Sequence, residues 1–242
     1  GREARSGHTE VFSRPQQVDL VKACLASVRT SAPAECGMYP RPGWMPPCPA
    51  LSRRGGLDMG KDWRVHLETA RAVLRDYERA DLADFLSLKA NPSVWRYSTE
   101  PPRTDREAVA AELAAVIESS TGADAGFRAA IEKASGRYLG EAGVLSVNSR
   151  DERCVIGYNL LPQYWGRGIA TELTRALVDH AFIELGLHRV EALVMADNLA
   201  SCRVLEKAGL LREGVLKDFA HKDGSLRDVC FYGLTRQDYR RA

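Results

Sequence analysis

Tyr158-Asn159-Leu160-Leu161-Pro162-Gln163-Tyr164-Trp165-Gly166-Arg167-Gly168-Ile169-Ala170-Thr171 is the stretch on which the reading of this chain turns. A strand-like segment runs into a loop with two glycines one residue apart, Gly166 and Gly168. The loop opens a helical pattern over 169–185, apolar at Leu173, Leu177, Ala181 and Leu185 and stopped by Gly186. Glycine lets backbone approach a ligand with no Cβ between them. The first amides of a helix have no partner in their own helix and lie at the positive end of its dipole. Together these features predict a phosphate cradle made of backbone.

Three kinds of phosphate loop share that logic. A P-loop requires Gly-Lys-Ser/Thr at its end, whereas Ile169-Ala170-Thr171 follow Gly168. A dinucleotide fingerprint would need Gly or Ala where Thr171 stands, and it would follow the first strand of its unit; several strands precede this one. What remains is Gln163-x-x-Gly166-x-Gly168, a short pattern that an ordinary strand-to-helix turn also satisfies.

Downstream, 188–195 reads as a strand and 198–208 as a helix closed by Gly209. The segments 211–220 and 227–235 flank Lys222-Asp223-Gly224, a hairpin signal. Upstream, 127–133, 138–147 and 153–161 read as three strands. Residues 104–119 form an amphipathic helix: Thr104 is its predicted cap, Glu107 completes a capping box, and Val109, Leu113 and Val116 share a face. A shorter helix spans 81–89 and ends before Asn91-Pro92, and 65–77 reads as a first strand around Val73 and Leu74. Strands at both ends with a βαβ unit between them predict a mixed α/β domain over 63–242.

Residues 1–62 differ in texture. Seven of the 11 prolines fall within the first 60 residues, most of them in 33–49. Proline fixes φ and donates no backbone hydrogen bond, so this run reads as a poorly ordered extension. One short helix over 16–28 and a linker at Arg53-Arg54-Gly55-Gly56 are its only other features, and Met59 opens the periodic region.

Composition bounds the rest. The 242 residues leave room for one good-sized domain with an appendage. A formal net charge of +2 argues against a nucleic-acid surface, and no apolar run reaches the ~20 residues of a membrane span. No secretory signal is seen, so the cytoplasm is the expected compartment. The six cysteines (Cys24, Cys36, Cys48, Cys154, Cys202, Cys230) make no CxxC pair and read as free thiols, with no metal expected. His180 and His188 lack partners at ligand spacing, and Glu191 reads as a solvated or ion-paired strand residue.

The Gln163-x-x-Gly166-x-Gly168 pattern resembles the pyrophosphate signature of the GNAT superfamily. Asn198-Leu199-Ala200-Ser201-Cys202-Arg203-Val204-Leu205-Glu206-Lys207-Ala208-Gly209-Leu210 is similar to a segment of its ribosomal-protein alanine N-acetyltransferase branch. Asn91-Pro92-Ser93-Val94-Trp95-Arg96-Tyr97 resembles a front segment of the same branch. The resemblance covers 65–242 and implies a twisted mixed sheet, splayed like a V, with flanking helices. It implies acetyl-coenzyme A as co-substrate and direct attack of a primary amine, from a peptide N-terminus or a small molecule, on the thioester. Leu160 and Leu161 backbone would pair with the pantetheine arm, behind Gln163. The amides of Trp165, Gly166, Arg167, Gly168, Ile169 and Ala170 would hold the pyrophosphate. Asn198 would bond the thioester region, and Ser201 would protonate the departing thiolate. Monomer and homodimer both stay open.

Two positions depart from the family. Leu205 stands where many members carry a tyrosine acid, and Ala220 where the branch has a carboxylate base. Asp218, two residues away and on the same face of a period-2 strand, is the expected substitute; His221 would face the other way unless the strand bulges. A weak base fits an α-amine better than lysine, because with a pKa of about 7.7–8.0 roughly a tenth is neutral at pH 7. Two alternatives remain: an aminoglycoside acetyltransferase, and a non-catalytic acyl-CoA-binding sensor or interaction module.

Overall fold

The computed structural model describes residues 65–120 and 125–240. The helix expected over 16–28, the proline-rich run, the linker and Cys24, Cys36 and Cys48 lie outside the described residues.

The segment expected to be one strand over 65–77 is a hairpin instead. Strands β1 (Val65–Glu68) and β2 (Ala72–Arg75) pair antiparallel. Thr69 makes the reversal: its amide donates to Ala72 O (2.8 Å) and its Oγ1 accepts from the Ala72 amide (2.9 Å). A threonine side chain thus does what glycine or asparagine does in commoner turns.

Helix α1 (Leu82–Lys89) buries Phe85 and Leu88 completely. Helix α2 (Arg106–Ser120) turns Val109 and Leu113 into the same core. Its cap is Asp105 and not Thr104, since Asp105 Oδ1 accepts from the amides of Glu107 (2.9 Å) and Ala108 (3.2 Å). A carboxylate reaching two amides displaces the threonine from the capping role.

Strands β3 (Gly126–Glu132), β4 (Tyr138–Asn148) and β5 (Arg153–Leu160) form an antiparallel meander. Helix α3 (Ile169–Ile183) then crosses to β6 (Arg189–Met195), which lies parallel to β5. After α4 (Leu199–Lys207) come β7 (Leu211–Lys222), β8 (Ser225–Thr235) and the short α5 (Arg236–Tyr239). Asp223 (φ 48°) and Gly224 (φ 76°) make the two-residue turn of the last hairpin, where both centres must be left-handed.

All eight strands join one sheet in the order β1-β2-β3-β4-β5-β6-β8-β7. Its centre is split. β4 pairs along β5 as far as Leu160, and β8 pairs along β6 as far as Met195. Yet β5 and β6 meet only at Arg153–Arg189, Cys154–Val190 and Val155–Glu191. Beyond Val155 the two halves part, which is the splayed mixed sheet that the resemblance implied. Leu173, Leu177, Val178, Ala181 and Phe182 anchor α3 to the core. Leu173 is wholly buried, and its truncation to alanine would cost about 2–5 kcal/mol.

Candidate active site

The loop between β5 and α3 has the backbone that its glycines predict. Gly166 (φ 72°) and Gly168 (φ 76°) are left-handed, a conformation that costs other residues roughly 1–2 kcal/mol. Gly168 is the residue before α3 and has no side chain to cap it. The first amide bonded back to it is that of Glu172, to Gly168 O at 3.1 Å. The amides of Ile169, Ala170 and Thr171 therefore lie ahead of their helix's hydrogen bonds and face outward at its positive end. Arg71, in the β1–β2 turn, steadies the loop by donating to Arg167 O (2.8 Å) and pairing with Glu172 (2.6 Å). Burial would raise the Glu172 carboxyl, but hydrogen bonds from Thr69 and from the Arg71 backbone and guanidinium outweigh it and hold the group below its ordinary value.

Two of the expected cofactor residues fall differently. The Trp165 amide closes a 3-10 turn onto Pro162 O (3.1 Å), so it is not among the outward-facing amides. The Leu161 amide donates to Leu139 O (2.9 Å), and its carbonyl accepts from Tyr164 (3.0 Å). Strand backbone alternates sides, so Leu161 faces β4, while Leu160 and Tyr158 turn their peptide groups toward the gap beyond Val155. The gap edge therefore belongs to Tyr158 and Leu160, not to Leu160 and Leu161. The half-exposed Trp165 indole lies along that edge and donates to Leu160 O at 2.7 Å. Gln163 is exposed on the 3-10 turn, and the Arg167 guanidinium lies over the Tyr164 ring.

Across the gap, the start of α4 brings a second group together. Asn198 is the cap, its Oδ1 accepting from the Ser201 amide at 3.2 Å. The Ser201 hydroxyl lies 2.6 Å from that of Tyr158 on β5. Burial pushes the Tyr158 phenol up to about 12, against a smaller opposite pull from Ser201. Tyr158 stood in the decisive stretch without a role, because no local pattern joins it to a serine 43 positions away. Leu205 is buried, so α4 offers no phenol of its own there.

Asp218 does not sit as the period-2 reading expects. β7 and β8 are in register at Leu216–Val229 and again at Ala220–Arg227, with extra residues on β7 between those rungs. Asp218 is in this bulge, left-handed (φ 51°) and exposed, and its amide donates to Asp228 Oδ1 at 2.9 Å. The bulge breaks the face parity that linked Asp218 to Ala220, whereas Ala220 and His221 remain adjacent in a regular ladder. Asp228 O in turn accepts from Ala196 (2.9 Å), so the bulge lies at the α4 end of the sheet.

A buried polar cluster borders β5 as well. Glu141 accepts from Lys89 Nζ (3.1 Å), Asn159 Nδ2 (2.9 Å) and the Tyr77 hydroxyl (3.1 Å). Burial first, and then the Glu141 charge, push the Tyr77 and Tyr138 phenols well above their ordinary value. Glu191 is ion-paired to Arg153 (2.9 Å) and Arg189 (2.8 Å), and His188 is exposed. Cys154, Cys202 and Cys230 are buried free thiols. Among the described residues no group of three His, Cys, Asp or Glu side chains could hold a metal, and no helix is long and apolar enough to cross a membrane.

Comparison with known proteins agrees with this fold. A model of the acetyltransferase (GNAT) domain matches residues 71–211, more than half of the chain. The chain is 30% identical over 173 residues to the uncharacterised N-acetyltransferase p20 of Bacillus licheniformis, covering 72% of this chain and 97% of that protein. Spermidine N-acetyltransferase from Vibrio cholerae, solved with CoA and spermine, has a similar fold (TM-score 0.62, 21% identity, 70% of this chain and 98% of that one). So does the ribosomal-protein-S5-alanine acetyltransferase from Vibrio fischeri (TM-score 0.61, 20% identity, 71% and 97%).

Proposed function

We propose that this chain, which belongs to the GNAT acetyltransferase family, moves the acetyl group of acetyl-coenzyme A to the α-amino group of a peptide or small molecule. As a member of that family it is an acetyl-CoA-dependent acyltransferase. The amine class is our own reading. In it, Ile169 and Ala170, with Gly166, Arg167 and Gly168, hold the pyrophosphate, and the β5 edge at Tyr158 and Leu160 receives the pantetheine arm as an added strand. Asn198 lies beside the thioester, and Ser201 donates to the sulfur as it leaves.

One observation carries the choice of amine: the strand position expected to hold a base is Ala220, and the nearby carboxylate, Asp218, is exposed on a bulge. Such a site does little to strip a proton from an ammonium group. An α-amine supplies its own neutral form, about a tenth of molecules at pH 7, whereas a lysine supplies well under a thousandth. A polyamine or an aminoglycoside calls for unpaired carboxylates. Two acidic groups against α1, Glu141 and Glu112, both already lie beside Lys89 Nζ, at 3.1 and 3.5 Å.

The test is thioester consumption with short peptides, spermidine and an aminoglycoside, alongside calorimetry with CoA. The expected result is highest kcat/KM for a free peptide N-terminus, rising with pH through a midpoint of about 8 and levelling off above about 9. Preference for spermidine or the aminoglycoside would overturn the α-amine assignment. CoA binding without turnover of any amine would leave a binding module instead.

A further inference from the structure

We propose that Tyr158 and Ser201 act as one hydroxyl chain at the fork of the sheet, with Tyr158 as the positioning residue that turns the Ser201 hydrogen toward the coenzyme A sulfur. The inference rests on the acetyl-transfer reading above.

Three observations carry it. The two oxygens are 2.6 Å apart, whereas Tyr158 Oη is 3.4 Å from the Ser201 carbonyl oxygen. Either hydroxyl could donate across that contact; we assign the donor to Tyr158, because a phenol is the more acidic hydroxyl, and Ser201 Oγ then accepts. The serine hydrogen is then left to give out, with no acceptor among the described residues. Second, Asn198 fixes the Ser201 amide at 3.2 Å, so the residue is held at both its backbone and its side chain. Third, the link spans the opening: Tyr158 lies on β5 beyond the last β5–β6 rung, and Ser201 lies in the first turn of α4. With Leu205 buried, the neighbouring strand supplies across the gap the phenol that the helix lacks.

The chemistry balances without a net proton from either hydroxyl. The amine nitrogen bonds to the thioester carbonyl carbon, the carbon–sulfur bond breaks, and its electron pair goes to sulfur. The nitrogen loses one proton and the sulfur gains one. Ser201 contributes a hydrogen bond to the sulfur while it carries charge, and the bond from Tyr158 strengthens that donation, because hydrogen bonds in a chain polarise one another.

A double-mutant cycle separates this role from simple packing. Tyr158→Phe keeps the ring, and we expect kcat to fall about tenfold with KM for acetyl-CoA and melting temperature near wild type. Ser201→Ala is expected to lose about 100-fold, and the double variant no more than Ser201→Ala alone. Full activity in Tyr158→Phe, or losses that multiply, would sink the proposal. A second measurement needs no turnover: the thiol of bound CoA, followed by thiolate absorbance, should titrate lower on the wild type than on Tyr158→Phe. Equal titration would also overturn it. Wild-type protein that consumes no thioester brings down the acetyl-transfer reading and the chain with it. An active wild type with multiplying losses brings down the chain alone.

Discussion

Lys89 Nζ lies 3.1 Å from Glu141 Oε1 with 5% and 1% of the two side chains exposed, an ion pair almost wholly withdrawn from water. The ammonium sits over the Phe85 and Trp95 rings at 4.6 and 5.0 Å, and the carboxylate has further donors in Asn159 and Tyr77. Breaking such a pair from one side strands the other charge. Lys89→Met should therefore destabilise the domain by about 3–5 kcal/mol in urea melts at pH 7. The double change with Glu141→Gln should recover much of that loss. A single-variant loss under about 1 kcal/mol would show that the pair contributes little.

Gly168→Val should abolish measurable CoA binding in calorimetry. A Cβ at Gly168 meets only the Arg71 guanidinium at 3.5 Å, so room is not the obstacle. The obstacle is φ, which valine resists, and the loop must shift away from the geometry that aims the α3 amides. The strain itself costs roughly 1–2 kcal/mol, so the variant should still fold. Unchanged CoA affinity would remove the pyrophosphate assignment.

The clamp of Arg71 on Glu172 should make stability depend on acid. The Glu172 carboxyl is held below its ordinary value in the folded chain, so its contribution is present above the unfolded value of about 4.3 and is lost as pH falls through the folded one. At pH 7 the wild type should melt above Glu172→Gln, and the difference should vanish at strongly acid pH. A gap that persists there would assign the effect to packing.

Asp218→Asn should leave folding intact, since the side chain is exposed and its hydrogen bond to Asp228 comes from the backbone amide. Because Asp218 is exposed on the bulge, kcat/KM should stay within about threefold of wild type at pH 7 and at pH 9; a drop of about 100-fold at pH 7 that shrinks at pH 9 would make Asp218 the base. No drop at either pH would leave the α-amine to lose its proton to solvent.

Much of the fold was legible because its signals are local. Asp223-Gly224 announced a hairpin through the left-handed backbone it requires, and Gly166, Gly168 and the periodicity of Leu173 and Leu177 marked the cradle and its helix. The hairpin at Thr69 was hidden because threonine is an ordinary strand residue, and here its hydroxyl joins its amide in making the turn. The same limit governed the site. That Leu161 faces β4 follows from pairing register, and the bulge at Asp218 contains no glycine to announce it. Tyr158 and Ser201 meet only because the sheet opens between them.

β7 closes one side of the sheet, and its outer backbone meets water. A straight twelve-residue rim carrying exposed Leu211, Val215 and Leu216 would be a template on which another chain's strand could add. The extra residues around Asp218 interrupt that template near its middle, bending the strand and leaving carbonyls and amides out of step with any incoming ladder. The irregularity that moves Asp218 off its expected face therefore also blunts this edge against strand addition. Deleting the extra residues would restore a flat rim and favour fibre-like self-association at high concentration.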